Sequence, residues 1–271
     1  MRAAFVTNNS SRRPAVVAQH LTELGIPAAA ADVVTSGQAA ARLLAARLPP
    51  GSKVLVLGTD GLAEEIETAG LVAVRTAAGA LAVVQGLAES TAWTDLAEAS
   101  VALRSGALWV AGNTDATYPS PRGPLPGNGA MVAALVVATG QRPVVVGKPE
   151  PELHVASVDR VGAKRPLVVG DRLDTDVLGA VRVGADCLLV LTGVTDRAAV
   201  LAAPPGMRPT YVASDLRGLL VPHEAPVVNG NEATCRQGKA WYDGEALRTS
   251  DDGDDALRAA CALTWSRDGS R

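Results

Sequence analysis

Leu167-Val168-Val169-Gly170-Asp171-Arg172-Leu173-Asp174-Thr175-Asp176 is the stretch that decides how this 271-residue chain folds. An apolar run stops at a glycine and acidic residues follow at once. Continuous Val/Leu runs mark strands buried on both faces, and in open α/β sheets ligands bind outside the carboxyl ends of such strands. Asp171 therefore lands at a carboxyl edge. Asp176 follows five residues on, near the first turn of a helix over residues 174–183 that Gly184 ends. Carboxylates so placed suit Mg²⁺, a hard cation that takes one or two of them and keeps waters and phosphate oxygens as other ligands. The same letters also read as a helix start in which Asp174 caps and its neighbours are solvated.

Working outward, the same alternation of short apolar runs and helical patterns recurs. Strands are expected over residues 3–6, 53–57, 82–84, 108–110, 143–146, 166–169, 187–191 and 210–213. Helices are expected over 14–24, with Ser11 as its cap and Gly25 as its stop, and over 93–105 and 129–139. This is an α/β chain with a mainly parallel sheet. From Pro222 the pattern changes to Asn/Gly turns between short β-prone pieces, then an acidic stretch opening a helix through Trp265, which reads as a small appended unit.

Two more loops leave strand ends. Val144-Val145-Val146-Gly147-Lys148-Pro149-Glu150-Pro151 puts a lysine on a loop braced by prolines, where an ammonium neutralises a phosphate or is merely solvated. Ala4-Phe5-Val6-Thr7-Asn8-Asn9-Ser10-Ser11 offers a hydroxyl and amides before a helix, donors for phosphate oxygens or simply a turn. A hydroxyl/amide loop, a lysine loop and an acidic loop, in that order and each on its own strand, make a phosphoryl-transfer constellation.

Composition excludes other classes. The chain is 48% hydrophobic with a net charge of −3 and no basic stripe, so nucleic acid is not an expected partner. No apolar run reaches a membrane-spanning length. Cys187, Cys235 and Cys261 are odd in number and far apart, which argues against a disulfide framework or zinc site and fits a reducing cytoplasm. Arg greatly outnumbers Lys, a hint of a GC-rich genome.

These motifs resemble the haloacid-dehalogenase-like (HAD) phosphatases, from Ala4 to about Leu220. The stretches Ala111-Gly112-Asn113-Thr114-Asp115 and Pro126-Gly127-Asn128-Gly129 are similar to the large-cap branch, subfamily IIA, which includes p-nitrophenyl, phosphoglycolate and glycerol-3-phosphate phosphatases. The resemblance implies a HAD-like Rossmannoid parallel sheet with helices on both faces and an inserted α/β cap. Residues 1–36 and 143–220 would form the core, 37–142 the cap and 221–271 the appended unit. It implies Mg-dependent hydrolysis of a small phosphorylated metabolite, glycerol 3-phosphate first and phosphoglycolate next, and a cap able to form homodimers. Thr7 and Lys148 would be catalytic and phosphate-binding, with Asn8 and Asn9 beside them. Asp171 would ligate Mg²⁺ and Asp176 would support its water shell. Asn113, Asp115 and Asn128 are the cap candidates for specificity, and read equally as turn residues. Thr7, Lys148 and Asp171 are expected to end strands of one sheet and to converge on one pocket.

The family opens with an apolar strand and Asp-x-Asp-Gly, the first Asp attacking phosphorus and the second acting as general acid/base. No such segment precedes Ala4. The expectation is that Met1 is an internal start, that the coding sequence begins about 30–40 residues upstream, and that residues 1–271 alone hydrolyse no monoester above background. The alternatives are a non-catalytic phosphate-binding or regulatory module and an unrelated α/β binding protein. In-frame DNA upstream of codon 1 should encode a short apolar run followed by Asp-x-Asp-Gly. A stop codon within the nearest upstream codons rules that out.

Overall fold

A computed structural model describes residues 2–268. Residues 1 and 269–271, which the expected core and tail segments include, lie outside the described residues. By contact the chain divides into two units, Met1–Ala163 and Lys164–Arg271. No helix among the described residues is long and apolar enough to cross a membrane.

The first unit opens with β1 (Phe5–Thr7), α1 (Pro14–Glu23), β2 (Val33–Thr35) and α2 (Ser36–Arg47). β1 and β2 pair in parallel, Thr7 beside Thr35. Pro14 opens α1, where its missing N–H costs nothing. Arg13, not Ser11, holds the cap position; the Ser11 hydroxyl donates instead to the Leu87 carbonyl. α2 has a reciprocal cap: Thr35 Oγ1 accepts from Gln38 N–H at 3.2 Å and Gln38 Oε1 accepts from Thr35 N–H at 3.4 Å. Two otherwise orphaned donors are thereby satisfied.

A five-stranded module follows: β3 (Lys53–Leu57), α3 (Asp60–Thr68), β4 (Val72–Val74), β5 (Ala82–Gln85), α4 (Trp93–Arg104), β6 (Leu108–Ala111), the short hairpin β7 (Thr117–Tyr118) and β8 (Leu125–Pro126), α5 (Asn128–Thr139) and β9 (Val144–Val145). Its strands run parallel in the order β4-β3-β5-β6-β9. The period of two on β3 explains the double cover. Val54 and Val56 face a core shared with Leu44 of α2, Leu62 and Ile66 of α3, and Leu153 of α6 (Pro151–Val161). Leu55 and Leu57 face the opposite core, with Leu103 of α4 and Leu135 of α5. Val144 and Val145, at the start of the segment expected in the core, register beside Val110 and Ala111 as the edge of this five-stranded sheet.

The second unit starts with β10 (Leu167–Gly170), a π-turn at Leu173–Val177, α7 (Leu178–Arg182), β11 (Asp186–Val190), α8 (Arg197–Leu201) and β12 (Tyr211–Ala213). The strands are parallel in the order β10-β11-β12. The helix expected over 174–183 is thus half π-turn. Then β13 (Val227–Asn229), β14 (Glu232–Cys235), β15 (Gly238–Asp243) and β16 (Ala246–Thr249) form an antiparallel meander, closed by α9 (Asp254–Asp268). α9 serves two sheets. Leu257 and Cys261 pack with Cys187, Leu189 and Val212, while Ala259, Ala260 and Leu263 pack with Ala233, Cys235 and Ala240. Gly238 permits the approach: a Cβ there would lie 2.1 Å from Ala256 N. Buried Arg258 donates to the Val212 carbonyl at 2.9 Å and pairs with Asp255 at 2.8 Å, pinning α9 to β12.

Because α9 completes the core beneath β11, Leu257→Ala should destabilise the fold by about 2–4 kcal/mol and speed amide exchange in β11. Exchange confined to the meander would show the tail to be independent. Burial pushes the Cys187 thiol up to about 12, with the Asp176 charge adding to it, and burial pushes Cys261 to about 12 as well. Both thiols should resist a disulfide reagent at pH 8 in the native protein and react only on unfolding. Raised pKa values favour the fold fully below the unfolded value of about 8.5. That contribution is lost as pH climbs from there toward 12, so denaturation midpoints should fall across that alkaline window.

Candidate active site

β1 ends at Thr7, and the chain turns through Asn8–Arg13 before α1. The Thr7 hydroxyl oxygen accepts from Asn9 N–H at 3.1 Å, which leaves its hydrogen for another acceptor. Asn9 Oδ1 accepts from Ser11 N–H at 2.8 Å and Arg12 N–H at 2.9 Å, so this amide shapes the entry to α1. Asn8 engages Lys148 at both ends of its carboxamide: Oδ1 accepts from Lys148 N–H at 2.7 Å and Nδ2 donates to the Lys148 carbonyl at 3.1 Å. The Lys148 ammonium lies 3.3 Å from the Val6 carbonyl, one residue before Thr7. The Lys148-Pro149 peptide is cis. The first unit therefore brings Thr7, Asn8, Asn9 and Lys148 together, with the amides holding backbone and the hydroxyl and ammonium at the strand end.

The cap candidates sit in the same network. Asn113 and Asn128 are buried. Asn113 Nδ2 donates to the Asn8 carbonyl at 2.7 Å and its Oδ1 accepts from Asp115 N–H at 3.1 Å. Asn128 Nδ2 donates to the Asn113 carbonyl at 2.7 Å. These two carboxamides hold loops in place, the turn reading of the sequence. Asp115 is half-buried, and its carbonyl accepts from Gly129 N–H at 2.9 Å. Period and motif reasoning missed Ser36, whose hydroxyl donates to the Asn8 carbonyl at 2.7 Å. The signal was present as Thr35-Ser36-Gly37-Gln38, a helix-start pattern whose second hydroxyl is free for other work.

Asp171 and Asp176 belong to the second unit. Asp171 leaves β10 and its Oδ2 accepts from Val194 N–H at 2.8 Å, while its carbonyl accepts from Thr195 N–H at 3.1 Å. Gly193 makes this possible, since a Cβ there would lie 2.0 Å from Asp171 Oδ2. The strand-exit signal Leu191-Thr192-Gly193 marks that loop in the sequence. Asp176 is buried and its Oδ2 accepts from Arg172 N–H at 3.2 Å. Gly170 has no room for a side chain, because a Cβ would come 2.3 Å from the Asp176 carboxyl carbon. Asp174 is no cap. Arg172 grips it through two hydrogen bonds, at 3.0 and 2.7 Å, and holds its carboxyl below the usual range.

The expectation that Thr7, Lys148 and Asp171 end strands of a single sheet is not met. Thr7 ends β1 in a two-stranded sheet, Lys148 follows β9 at the edge of the five-stranded sheet, and Asp171 follows β10 in the three-stranded sheet. The reason is register: β9 lies beside β6, and Val146 N–H donates to the Ala111 carbonyl at 3.1 Å. Among the described residues no three His, Cys, Asp or Glu side chains gather as a metal cluster. A cavity of about 470 Å³ opens at the carboxyl end of β3, lined by Thr59, Asp60, Arg75, Ser90 and Thr91 among others, and holds none of the expected site residues. The strand order reverses there, between β3 and β5, which explains why a crevice forms at that point.

Known proteins share this arrangement of segments. The family profile described as Haloacid dehalogenase-like hydrolase matches residues 1–72, and a HAD-hydrolase-like profile matches residues 145–219. A D-glycerol 3-phosphate phosphatase of Mycobacterium tuberculosis is 48% identical over 276 residues, covering 97% of this chain and 77% of that protein. An acid sugar phosphatase of Staphylococcus saprophyticus is 37% identical, covering 80% of this chain and 83% of that protein. The crystal structure of glycerol phosphate phosphatase from M. tuberculosis in complex with magnesium matches with a TM-score of 0.85 at 47% identity, covering 98% of this chain and 81% of that one. The p-nitrophenyl phosphatase from Archaeoglobus fulgidus matches with a TM-score of 0.74 at 34% identity, covering 80% and 85%. Fold, motifs and identity agree: the chain belongs to the haloacid dehalogenase-like hydrolases, in the branch of the glycerol phosphate and p-nitrophenyl phosphatases.

Proposed function

We propose that this chain is the bulk of a Mg²⁺-dependent phosphatase acting on small phosphate monoesters, glycerol 3-phosphate first and phosphoglycolate next. The carrying observation is the Lys148 ammonium held 3.3 Å from the Val6 carbonyl, next to Thr7 where the strand ends. A fixed ammonium and a hydroxyl hydrogen at one strand end suit phosphate oxygens. The 48% identity to a D-glycerol 3-phosphate phosphatase supports the choice of substrate.

Asp171 and Asp176 are the residues that would hold Mg²⁺. Their donor set fits, because Mg²⁺ takes few carboxylates and retains waters and phosphate oxygens. Asp171 stands at a strand exit with one oxygen fixed by Val194 N–H. Asp176 is shut in by Gly170 and suits the supporting place. Bound Mg²⁺ would supply positive charge against the phosphoryl oxygens. Within the first unit, Lys148 would set charge against phosphate oxygens and Thr7 would orient them. The five-stranded module, with a core on each face of its sheet, would be the cap that selects the leaving group. Three free buried thiols fit a reducing compartment such as the cytoplasm.

An Asp-x-Asp-Gly strand seated beside β10 would supply the attacking carboxylate. Support comes from β10, which among the described residues pairs only with β11 while Leu167 and Val169 are 41% and 37% exposed. A Val/Leu strand with a bare edge and bare side chains suits a further strand beside it.

The test is inorganic phosphate release from glycerol 3-phosphate, phosphoglycolate and p-nitrophenyl phosphate with Mg²⁺, comparing residues 1–271 with a version extended by such a strand. Turnover is expected from the extended version, and background from the shorter one. Lys148→Ala in the extended version should lower kcat by about 10²–10³-fold, the scale of losing one electrostatic donor. Asp171→Asn should raise the Mg²⁺ requirement far more than Asp174→Asn, since Asp174 is already paired with Arg172. Equal effects of these two substitutions would remove Asp171 from the metal site.

A further inference from the structure

Asn8 carries one of the amides expected to touch phosphate, yet both ends of its carboxamide bond to the Lys148 peptide, one at 2.7 Å and one at 3.1 Å. Both peptide groups flanking the Lys148 Cα are gripped: the N–H on one side, the carbonyl on the other. That fixes the direction in which the lysine side chain leaves the backbone. Asn8 is itself held. Its carbonyl accepts from Ser36 Oγ at 2.7 Å and from Asn113 Nδ2 at 2.7 Å, and Asn128 secures the Asn113 carbonyl at 2.7 Å. The backbone also closes on it, since a Cβ at Gly147 would meet Asn8 Oδ1 at 2.9 Å and the Gly112 carbonyl at 2.3 Å.

We propose that Asn8 is a positioning residue for Lys148, with Ser36 and Asn113 holding Asn8 in turn. The inference rests on Lys148 binding the phosphoryl group, as in the function proposed above. Only a carboxamide offers a donor and an acceptor side by side in this geometry. Aspartate would keep one bond and set a second acceptor against the Lys148 carbonyl. The consequence is large for a small displacement, because shifting a charged group by about 1 Å costs about 10²-fold in rate.

Two readouts test it. Calorimetric binding of inorganic phosphate should weaken by about tenfold in Asn8→Ala, but by less than about twofold when Asn8→Ala is made in a Lys148→Ala background, the signature of residues acting through one another. In amide exchange measured by NMR, the Lys148 N–H of Asn8→Ala or Asn8→Asp should exchange at least about tenfold faster than in the unaltered chain. Should Asn8→Ala fail to fold, Asn113→Ala carries both readouts with smaller factors. Equal weakening of phosphate binding in both backgrounds would mean that Asn8 touches the anion itself, and would overturn the proposal. Unchanged Lys148 exchange would overturn it too. Absence of phosphate binding by the unaltered chain would instead sink the functional reading, and exchange would still decide whether Asn8 holds Lys148.

Discussion

The paired hydrogen bonds between the Asn8 carboxamide and the Lys148 peptide join segments 140 residues apart in sequence. Strand ends leave backbone donors and acceptors that the sheet no longer satisfies, and burying them unpaired is costly. At this end of the first unit, side-chain amides and hydroxyls take over the pairing. Asn9 serves two N–H groups, Asn113 and Asn128 serve carbonyls, Ser11 serves Leu87, and Thr59 Oγ1 donates to the Ser11 carbonyl at 2.8 Å. The loop after β1 is therefore rigid without any regular structure of its own. Thr7 and Lys148 inherit that rigidity, which is the condition for placing a hydroxyl and an ammonium within a fraction of an ångström.

Much of the fold was legible because a strand covered on both faces writes itself as an unbroken apolar run. Each of the eight expected strands is present, with no end moved by more than two residues. The strands β2 (Val33–Thr35) and β4 (Val72–Val74) passed unread. Alanine-rich α2 shows little contrast between its faces and also passed unnoticed. Which sheet a strand joins is not written in its own letters. Residues 143–146 read as core by resemblance and pair with β6 through a register that only the folded chain reveals.

The candidate site divides in the same way. Thr7, Lys148, Asp171 and Asp176 stood out because polar letters interrupt apolar runs at strand exits. Asparagine does not announce its employment. The same residue type that can donate to a phosphate can hold a peptide, and Asn8, Asn113 and Asn128 hold peptides. Asp174 illustrates a second limit. It looked like a helix cap, but Arg172 lies two residues earlier with a guanidinium fork that matches a carboxylate at both oxygens. Competition from a neighbouring charge overrode the local capping preference.

Glycine has a role in the acidic loops that turn chemistry alone does not predict. Gly170 ends the strand, and its φ requires no glycine. What requires it is Asp176, whose carboxyl carbon would stand 2.3 Å from any Cβ at that position. Gly193 serves Asp171 in the same manner, with Oδ2 in the space a Cβ would fill. The π-turn completes the arrangement. The Arg172 carbonyl accepts from both Asp176 N–H and Val177 N–H, at 3.1 Å each, which draws Asp176 back under the strand end. Single π-turns are rare and concentrate at functional sites. Burying a carboxylate is unfavourable unless bonds compensate it, and Asp176 is only 5% exposed. The bent helix start and the two positions left without side chains hold both carboxylates in place, which is what the proposed Mg²⁺ site requires.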